Sequence, residues 1–236
     1  MRTVFLIASN FVREQRWPIL VLLLWVLVTC VLGLMADVRS DREDLLVIFQ
    51  QLPIYGIAFA VFIGGAAIHN ERKSRRILAV LSKGVRRGEY ISGVLVGIVF
   101  ALMLYGLCMG LTGTWVLGQG GFSIALLWFL MFSFLMACVL ASAVAVFFST
   151  FMTPLFATLA TGLALGIPFV MMLQFGRDWA YLIPVYLLLE SFVKATFSTP
   201  WQPDWRPFVV ATVEIVAFWL LASWIFARRD IAVALD

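Results

Sequence analysis

Side chains able to bind a charged partner are concentrated in one polar segment, residues 69–89. The segment holds seven of the seventeen Lys and Arg residues of a chain that is 63% hydrophobic. Within it, Ile77, Leu78 and Leu81 are spaced i, i+1 and i+4, which places them on one face of a short helix. The turns before them are filled by basic residues, namely Arg72, Lys73, Arg75 and Arg76. This pattern predicts an amphipathic helix that docks against something in the cytoplasm.

Side chains for catalysis or metal binding are scarce. The sequence contains no Gly-x-x-x-x-Gly-Lys-Ser/Thr motif for a P-loop and no His-Glu-x-x-His motif for zinc. The single histidine, His69, lies at the predicted end of a span, where a polar anchor is the commoner role. Cys30, Cys108 and Cys138 fall inside predicted spans without Cys-x-x-Cys spacing, so we interpret them as small core residues. We therefore expect a chain that is not an enzyme by itself and holds no cofactor or metal.

Glu214 is the one ionisable residue well inside a predicted span. It lies about two helical turns, near 10 Å, from the outer end of that span. A carboxylate at this depth costs a few kcal/mol unless it is paired, hydrated or protonated, so it should face the bundle interior or a cavity. Two roles remain open: contact with substrate or protons in a translocation path, or a structural hydrogen bond to a neighbouring helix. Glu190 is a second candidate for the path, with anchoring of an outer segment as its alternative role.

The elements that must position these residues are hydrophobic helices. The mean hydropathy is +1.02 and only 13% of residues are charged, against about 25% in soluble domains. A helix needs about 20 apolar residues to cross a bilayer. None of the long apolar stretches alternates apolar with polar residues as the strands of a membrane barrel do. Six stretches qualify, at residues 17–36, 45–68, 90–117, 122–149, 154–175 and 208–227. The predicted fold is all-α: one transmembrane domain, residues 1–236, with six spans.

Two further elements flank the spans. Residues 1–16 predict an amphipathic elbow helix along the inner leaflet, whose apolar face carries Val4, Phe5, Ala8, Phe11 and Val12. Residues 174–207 contain an apolar piece that is interrupted by Pro184, Glu190 and Lys194. We interpret this outer segment as one or two short re-entrant helices that dip into the outer leaflet before the last span.

The distribution of basic residues predicts the orientation. Twelve of the seventeen Lys and Arg residues fall in the segments on the side of the N-terminus, and five fall on the other side. The positive-inside rule then places both termini in the cytoplasm, in a bacterial inner membrane. A nucleic-acid partner is not expected, because nothing around the basic segment forms a domain to present it.

Three Gly-x-x-x-Gly motifs lie in the third and fifth spans. They are Gly93/Gly97, Gly106/Gly110 and Gly162/Gly166. Such spacing lets helix backbones approach closely, either within one subunit or between two subunits. The three motifs together predict a tightly packed bundle.

The order of these features resembles the ABC-2-type permease family, the membrane subunits of ATP-driven exporters. Members of that family open with an amphipathic elbow helix and two spans, continue with a basic cytoplasmic segment, and end with a basic pair and an aspartate after the sixth span. The matching residues here are Glu71-Arg72, the run ILAVLS at 77–82, VRR at 85–87, Tyr90, Gly93 and Arg228-Arg229-Asp230. Gly84 and Val94 depart from the family pattern, which often has proline and lysine there.

The resemblance implies a mechanism and partners. The segment from Glu71 to Leu81 would be a coupling helix docked in a groove of a separate P-loop ATPase, which would bind ATP and Mg²⁺. Two permease copies, expected as a homodimer with a heterodimer as the alternative, would work with two ATPase copies in the lipid bilayer. The residues assigned to the docking contact are Glu71, Arg72, Arg75, Arg76, Ile77, Leu78, Leu81 and Arg86. The alternative functions are a secondary transporter or channel that uses Glu214, and a non-transporting scaffold subunit.

Overall fold

A computed structural model of the chain describes residues 2–35, 42–73, 85–117, 123–193 and 204–228. Within these ranges the chain forms α-helices, one 3₁₀ helix and no strand. The helices are α1 (Arg2–Glu14), α2 (Arg16–Met35), α3 (Arg42–Lys73), α4 (Arg87–Leu117), α5 (Ile124–Ser149), α6 (Pro154–Phe175), the 3₁₀ helix (Arg177–Leu182), α7 (Val185–Val193) and α8 (Arg206–Arg228). The all-α prediction is therefore confirmed for the part of the chain that the structure describes.

Five of these helices, α3, α4, α5, α6 and α8, are long and apolar enough to cross a membrane. Helix α6 coincides with the predicted stretch 154–175, and α5 begins two residues after the predicted start of its stretch. In α2 the apolar part identified is the shorter piece Arg16–Thr29. The chain is thus a multi-pass helical membrane protein, and the count of six spans, which requires α2 as a span, stays a prediction.

Helix α5 lies at the centre of the bundle. It contacts α3, α4, α6, α7 and α8, and sixteen of its side chains are buried. Its alanines allow α3 to come close: a Cβ atom added to Gly64 would lie 2.8 Å from Cβ of Ala145 and 3.1 Å from the carbonyl oxygen of Ser142. Because lipid tails are as apolar as the side chains, such close packing, rather than hydrophobic burial, holds spans together in a bilayer.

Helix α1 of the same chain packs against the first Gly-x-x-x-Gly motif, Gly93/Gly97. A Cβ atom at Gly93 would lie 2.6 Å from Cβ of Ile7, and one at Gly97 would lie 2.9 Å from Cδ1 of Phe11. Phe11 is buried in this contact, whereas Phe5, predicted for the apolar face, is 67% exposed. The predicted N-terminal helix therefore exists and packs on α4. Its position along the inner leaflet stays a prediction.

In the part of the chain that the structure describes, no helix packs closely against the third motif, Gly162/Gly166. Cβ atoms added to Gly162 and Gly166 would meet nothing within 4 Å. These glycines line an open apolar groove of about 740 Å³ between α3, α6 and α7. The same Gly-x-x-x-Gly spacing thus leads to a packed contact at the first motif and an open surface at the third.

The outer segment folds into two short helices within its described residues. Helix α6 ends at Gly176, whose φ of +108° is a conformation that side chains with a Cβ atom rarely adopt. The 3₁₀ helix and α7 follow, and α7 packs on α5, where the hydroxyl of Ser133 donates to the carbonyl oxygen of Leu188 at 2.5 Å. Two short helices agree with the sequence prediction. Their re-entrant placement in a bilayer stays a prediction.

Candidate functional site

Arg87 joins the first turn of α4 to the last turn of α8. Its Nη1 donates to the carbonyl oxygens of Phe226 at 3.2 Å and Ala227 at 3.1 Å. The last four carbonyl groups of a helix have no partner within the helix, and the negative end of the helix dipole favours a cation there. Arg87 therefore caps α8 with a charge-assisted contact from a different helix.

Two more contacts lie beside this cap. The rings of Tyr90 and Phe226 stack with centroids 5.9 Å apart and planes 19° apart, and both side chains are buried. About two turns earlier in α8, Nε1 of Trp219 donates to Oγ of Ser92 at 2.9 Å, and Oγ of Ser92 donates to the carbonyl oxygen of Gly88 at 2.8 Å. We name this group of contacts, made by Arg87, Tyr90, Ser92, Trp219 and Phe226, the α4–α8 joint.

The joint places three parts of the chain at one end of the bundle. Helix α3 ends at Lys73 and α4 begins at Arg87, so the basic segment connects the two helices at this end. Helix α1 packs on the first half of α4, at Gly93 and Gly97. The last turn of α8 is held there by Arg87. The N-terminal helix, the start of α4 and the end of α8 are thus neighbours.

The residues predicted to contact an ATPase are only partly covered by the structure. Glu71 and Arg72 fall in the last turn of α3, so the predicted coupling helix begins inside this long helix rather than after it. Arg86 is exposed, one residue before α4. The other five, Arg75, Arg76, Ile77, Leu78 and Leu81, lie outside the described residues. The amphipathic helix at 77–81 stays a prediction.

Glu214 lies on the face of α8 that turns towards the bundle. It is three residues after the fully buried Ala211 and four before Phe218, whose ring contacts that of Phe147 with centroids 5.6 Å apart. The Oε2 atom of Glu214 is buried and has no hydrogen-bond partner in the described part of the chain. Because buried polar groups nearly always have partners, this oxygen is an exception that calls for an explanation. The structural hydrogen bond considered for Glu214 is not made by Oε2 within these residues.

Glu190, the second candidate for a translocation path, pairs with Arg177. Oε2 of Glu190 accepts a hydrogen bond from Nη2 of Arg177 at 2.8 Å, and the side chains are 17% and 59% exposed. The pair links α7 to the 3₁₀ helix. An exposed ion pair of this kind contributes at most about 1 kcal/mol to stability. The contact supports the anchoring role considered for Glu190.

The remaining polar candidates form no cluster. His69 is partly buried near the end of α3, Cys138 is buried and Cys108 is partly buried, and both of these cysteines are free thiols. Across the described ranges no three His, Cys, Asp or Glu side chains lie close enough together to hold a metal ion. Cys30 lies in α2. The burial of Cys138 agrees with its interpretation as a core residue.

Sequence reasoning missed the α4–α8 joint. Arg87 entered only as one of the basic residues that set topology and as part of the VRR match at 85–87, and Trp219 and Ser92 were not singled out. One signal was available: a helix that ends near a membrane surface needs partners for its last carbonyl groups, and an arginine at the start of another span can supply them. The sequence could not say which arginine does so, because Arg87 and Phe226 are 139 positions apart.

Comparison with known proteins adds no assignment. No family model matches the chain, and no curated protein matches it.

Proposed function

We propose that this chain is the permease subunit of an ATP-driven exporter of the ABC-2 type, in a bacterial cytoplasmic membrane with both termini inside. One observation carries the proposal. Of the elements that such a subunit would present to an ATPase or to the inner leaflet, α1 and the end of α8 both contact the start of α4, at Gly93 and Arg87, where the basic segment 69–89 ends. A helical multi-pass architecture with few charges inside the spans supports it further.

In this proposal the chain converts movement of a partner into movement of its spans. A P-loop ATPase binds ATP and Mg²⁺, since the permease sequence has no P-loop. Ile77, Leu78 and Leu81 supply apolar contact with a groove of the ATPase, and the basic residues around them orient the docking. Closure of the two ATPase copies then displaces the basic segments of two permease copies, and the bundles shift as rigid bodies.

The proposal is tested by purification of the chain from native membranes in mild detergent, with identification of stoichiometric partners. We expect a P-loop ATPase to co-purify with the unaltered chain and to fall at least tenfold in Leu78→Asp, because a buried carboxylate opposes docking. Ala79→Asp is the matched control, since residue 79 lies on the opposite face of the predicted helix. Recovery of the folded chain with no ATPase, or equal recovery with both variants, would contradict the proposal.

Ion-linked transport is a second candidate function, favoured by the buried Oε2 atom of Glu214, which has no hydrogen-bond partner among the described residues. A carboxyl group of this kind within a span is characteristic of proton and ion pathways. The two candidates differ in a measurable way. In vesicles that contain the chain and no ATP, an exporter permease should pass no more protons than empty vesicles under an imposed membrane potential.

The variant Glu214→Gln makes that comparison specific. Proton flux that is present in the unaltered chain, lost in Glu214→Gln and retained in Glu89→Gln would favour the second candidate. Glu89 is the control because it is an acidic residue in the first turn of α4, at the end of a span. A pH-sensitive dye enclosed in the vesicles measures the flux. We expect equal, background values for all three proteins.

A further inference from the structure

We propose that the α4–α8 joint makes α8 follow the basic segment, so that a displacement of this segment moves the helix that carries Glu214. The inference rests on the proposed function, because it takes the basic segment to be the part that a partner displaces. It adds that movement of the basic segment is passed to the last span, α8, through the contacts between α4 and α8.

The joint holds α4 and α8 by three different kinds of contact, at two levels of α8: residues 226–227 and residue 219. Arg87 caps the carbonyl oxygens of Phe226 and Ala227, Tyr90 stacks on Phe226, and Trp219 donates to Ser92. A slide of one helix past the other by one turn, about 5.4 Å, would break all three together. Hydrogen bonds also weaken steeply when their angle changes, so the joint opposes rotation as well as sliding.

The contacts of α8 with α5 are of another kind. Phe208 contacts the rings of Phe129 and Phe132, with centroids 5.5 Å apart in each case, and Phe218 contacts Phe147 at 5.6 Å. Ring contacts are less directional than hydrogen bonds and tolerate several geometries. Helix α8 is therefore attached to α4 by directional hydrogen bonds as well as a ring stack, and to α5 at these rings by apolar surfaces that can shift.

The outward face of α8 offers no further restraint within the described part of the chain. Val209, Val213, Leu220 and Trp224 are all more than half exposed. Fluid lipid resists the movement of such a face much less than a packed core does. When the start of α4 moves, we expect α8 to follow it and the apolar contact of α8 with α5 to change.

The experiment compares two double variants of the chain in complex with the ATPase that co-purifies with it. Arg87→Ala with Trp219→Phe removes the cap and the indole donor but keeps an aromatic ring. Arg206→Ala with Trp115→Phe is the matched control, because Arg206 on α8 and Trp115 on α4 are exposed residues of the same types that lie outside both the joint and the docking contact. Both pairs are made in a chain whose three cysteines are replaced by alanine.

An environment-sensitive fluorophore at Leu220→Cys, an exposed site on α8, reports movement of this helix when a non-hydrolysable ATP analogue is added. A label at Leu163→Cys on α6, which is 65% exposed, reports any general change. We expect the nucleotide-dependent signal at residue 220 to fall at least fivefold in the joint variant, to persist in the control variant, and to stay unchanged at residue 163 in both. If the double joint variant does not stay folded, Trp219→Phe alone is expected to reduce the signal at residue 220 in the same direction.

The outcomes separate the two proposals. Equal signals at residue 220 in the joint and control variants, with the ATPase still bound, would overturn the role of the joint and leave the proposed function standing. Failure of any ATPase to co-purify with the unaltered chain would overturn the proposed function and, with it, the role of the joint.

Discussion

Replacement of Gly64 by leucine is expected to lower the free energy of unfolding by about 1–3 kcal/mol, which is the usual cost of extra volume in a packed core. Even the first added carbon would lie 2.8 Å from Cβ of Ala145 and 3.1 Å from the carbonyl oxygen of Ser142. Since the second of these atoms belongs to the backbone of α5, a rotamer change cannot make room. Helices α3 and α5 must instead move apart, which loosens the most extensive contact between two of the described helices.

Gly162→Leu is the matched control for this substitution. A Cβ atom at Gly162 meets nothing within 4 Å in the described part of the chain, and leucine favours helices over glycine by up to about 1 kcal/mol. We therefore expect thermal unfolding in detergent to shift down by about 2–10 °C for Gly64→Leu and to stay level or rise slightly for Gly162→Leu. A Gly64→Leu variant as stable as the control would mean that α3 and α5 do not pack through this glycine.

Replacement of both Gly93 and Gly97 by alanine is expected to release α1 from α4. The two new methyl groups would lie 2.6 Å from Cβ of Ile7 and 2.9 Å from Cδ1 of Phe11, and each would also lie 3.1–3.2 Å from a carbonyl oxygen of α1. Release of α1 exposes Phe11, whose burial is worth roughly 1.5–3 kcal/mol. Amide hydrogen exchange in residues 2–14 should accordingly become at least tenfold faster, while exchange in α5 stays slow.

The control for this pair is the double variant Gly106→Ala with Gly162→Ala. It adds the same two methyl groups to membrane helices at positions with nothing within 4 Å. Exchange in residues 2–14 should then match that of the unaltered chain. If the control accelerates exchange as much as the pair at 93 and 97 does, the effect comes from the added methyl groups in general, and the assigned contact between α1 and α4 is wrong.

Much of the secondary structure could be predicted from the sequence, because it depends on local composition. In a bilayer every backbone N–H and C=O group must find a partner within its own segment, so a long apolar stretch forms a helix whatever its neighbours are. The stretch predicted at 154–175 and the helix Pro154–Phe175 coincide for this reason. Bounds were less predictable where polar residues extend a helix: α3 runs to Lys73, beyond the predicted end at residue 68.

The candidate site was predictable only as separate residues. Glu214 could be singled out because a carboxyl group among apolar residues is visible in the sequence. That its Oε2 atom is buried without a partner in the described part of the chain could not be predicted, since this depends on side chains from distant parts of the sequence. Glu190 was visible as a polar interruption, but its pairing with Arg177 required the break between the 3₁₀ helix, which ends at Leu182, and α7, which begins at Val185, to be known.

The sequence by itself determined that this protein is a helical membrane protein, where its apolar helices lie, and which segment is rich in positive charge. These properties follow from composition and from the spacing of apolar residues, which can be read over one or two turns of helix. The tertiary structure decided which glycine motif accepts a helix and which arginine caps α8. Both depend on contacts between distant parts of the chain, such as Trp219 with Ser92, 127 positions apart. No local pattern encodes such a pairing, because it arises only when the spans have packed against α5.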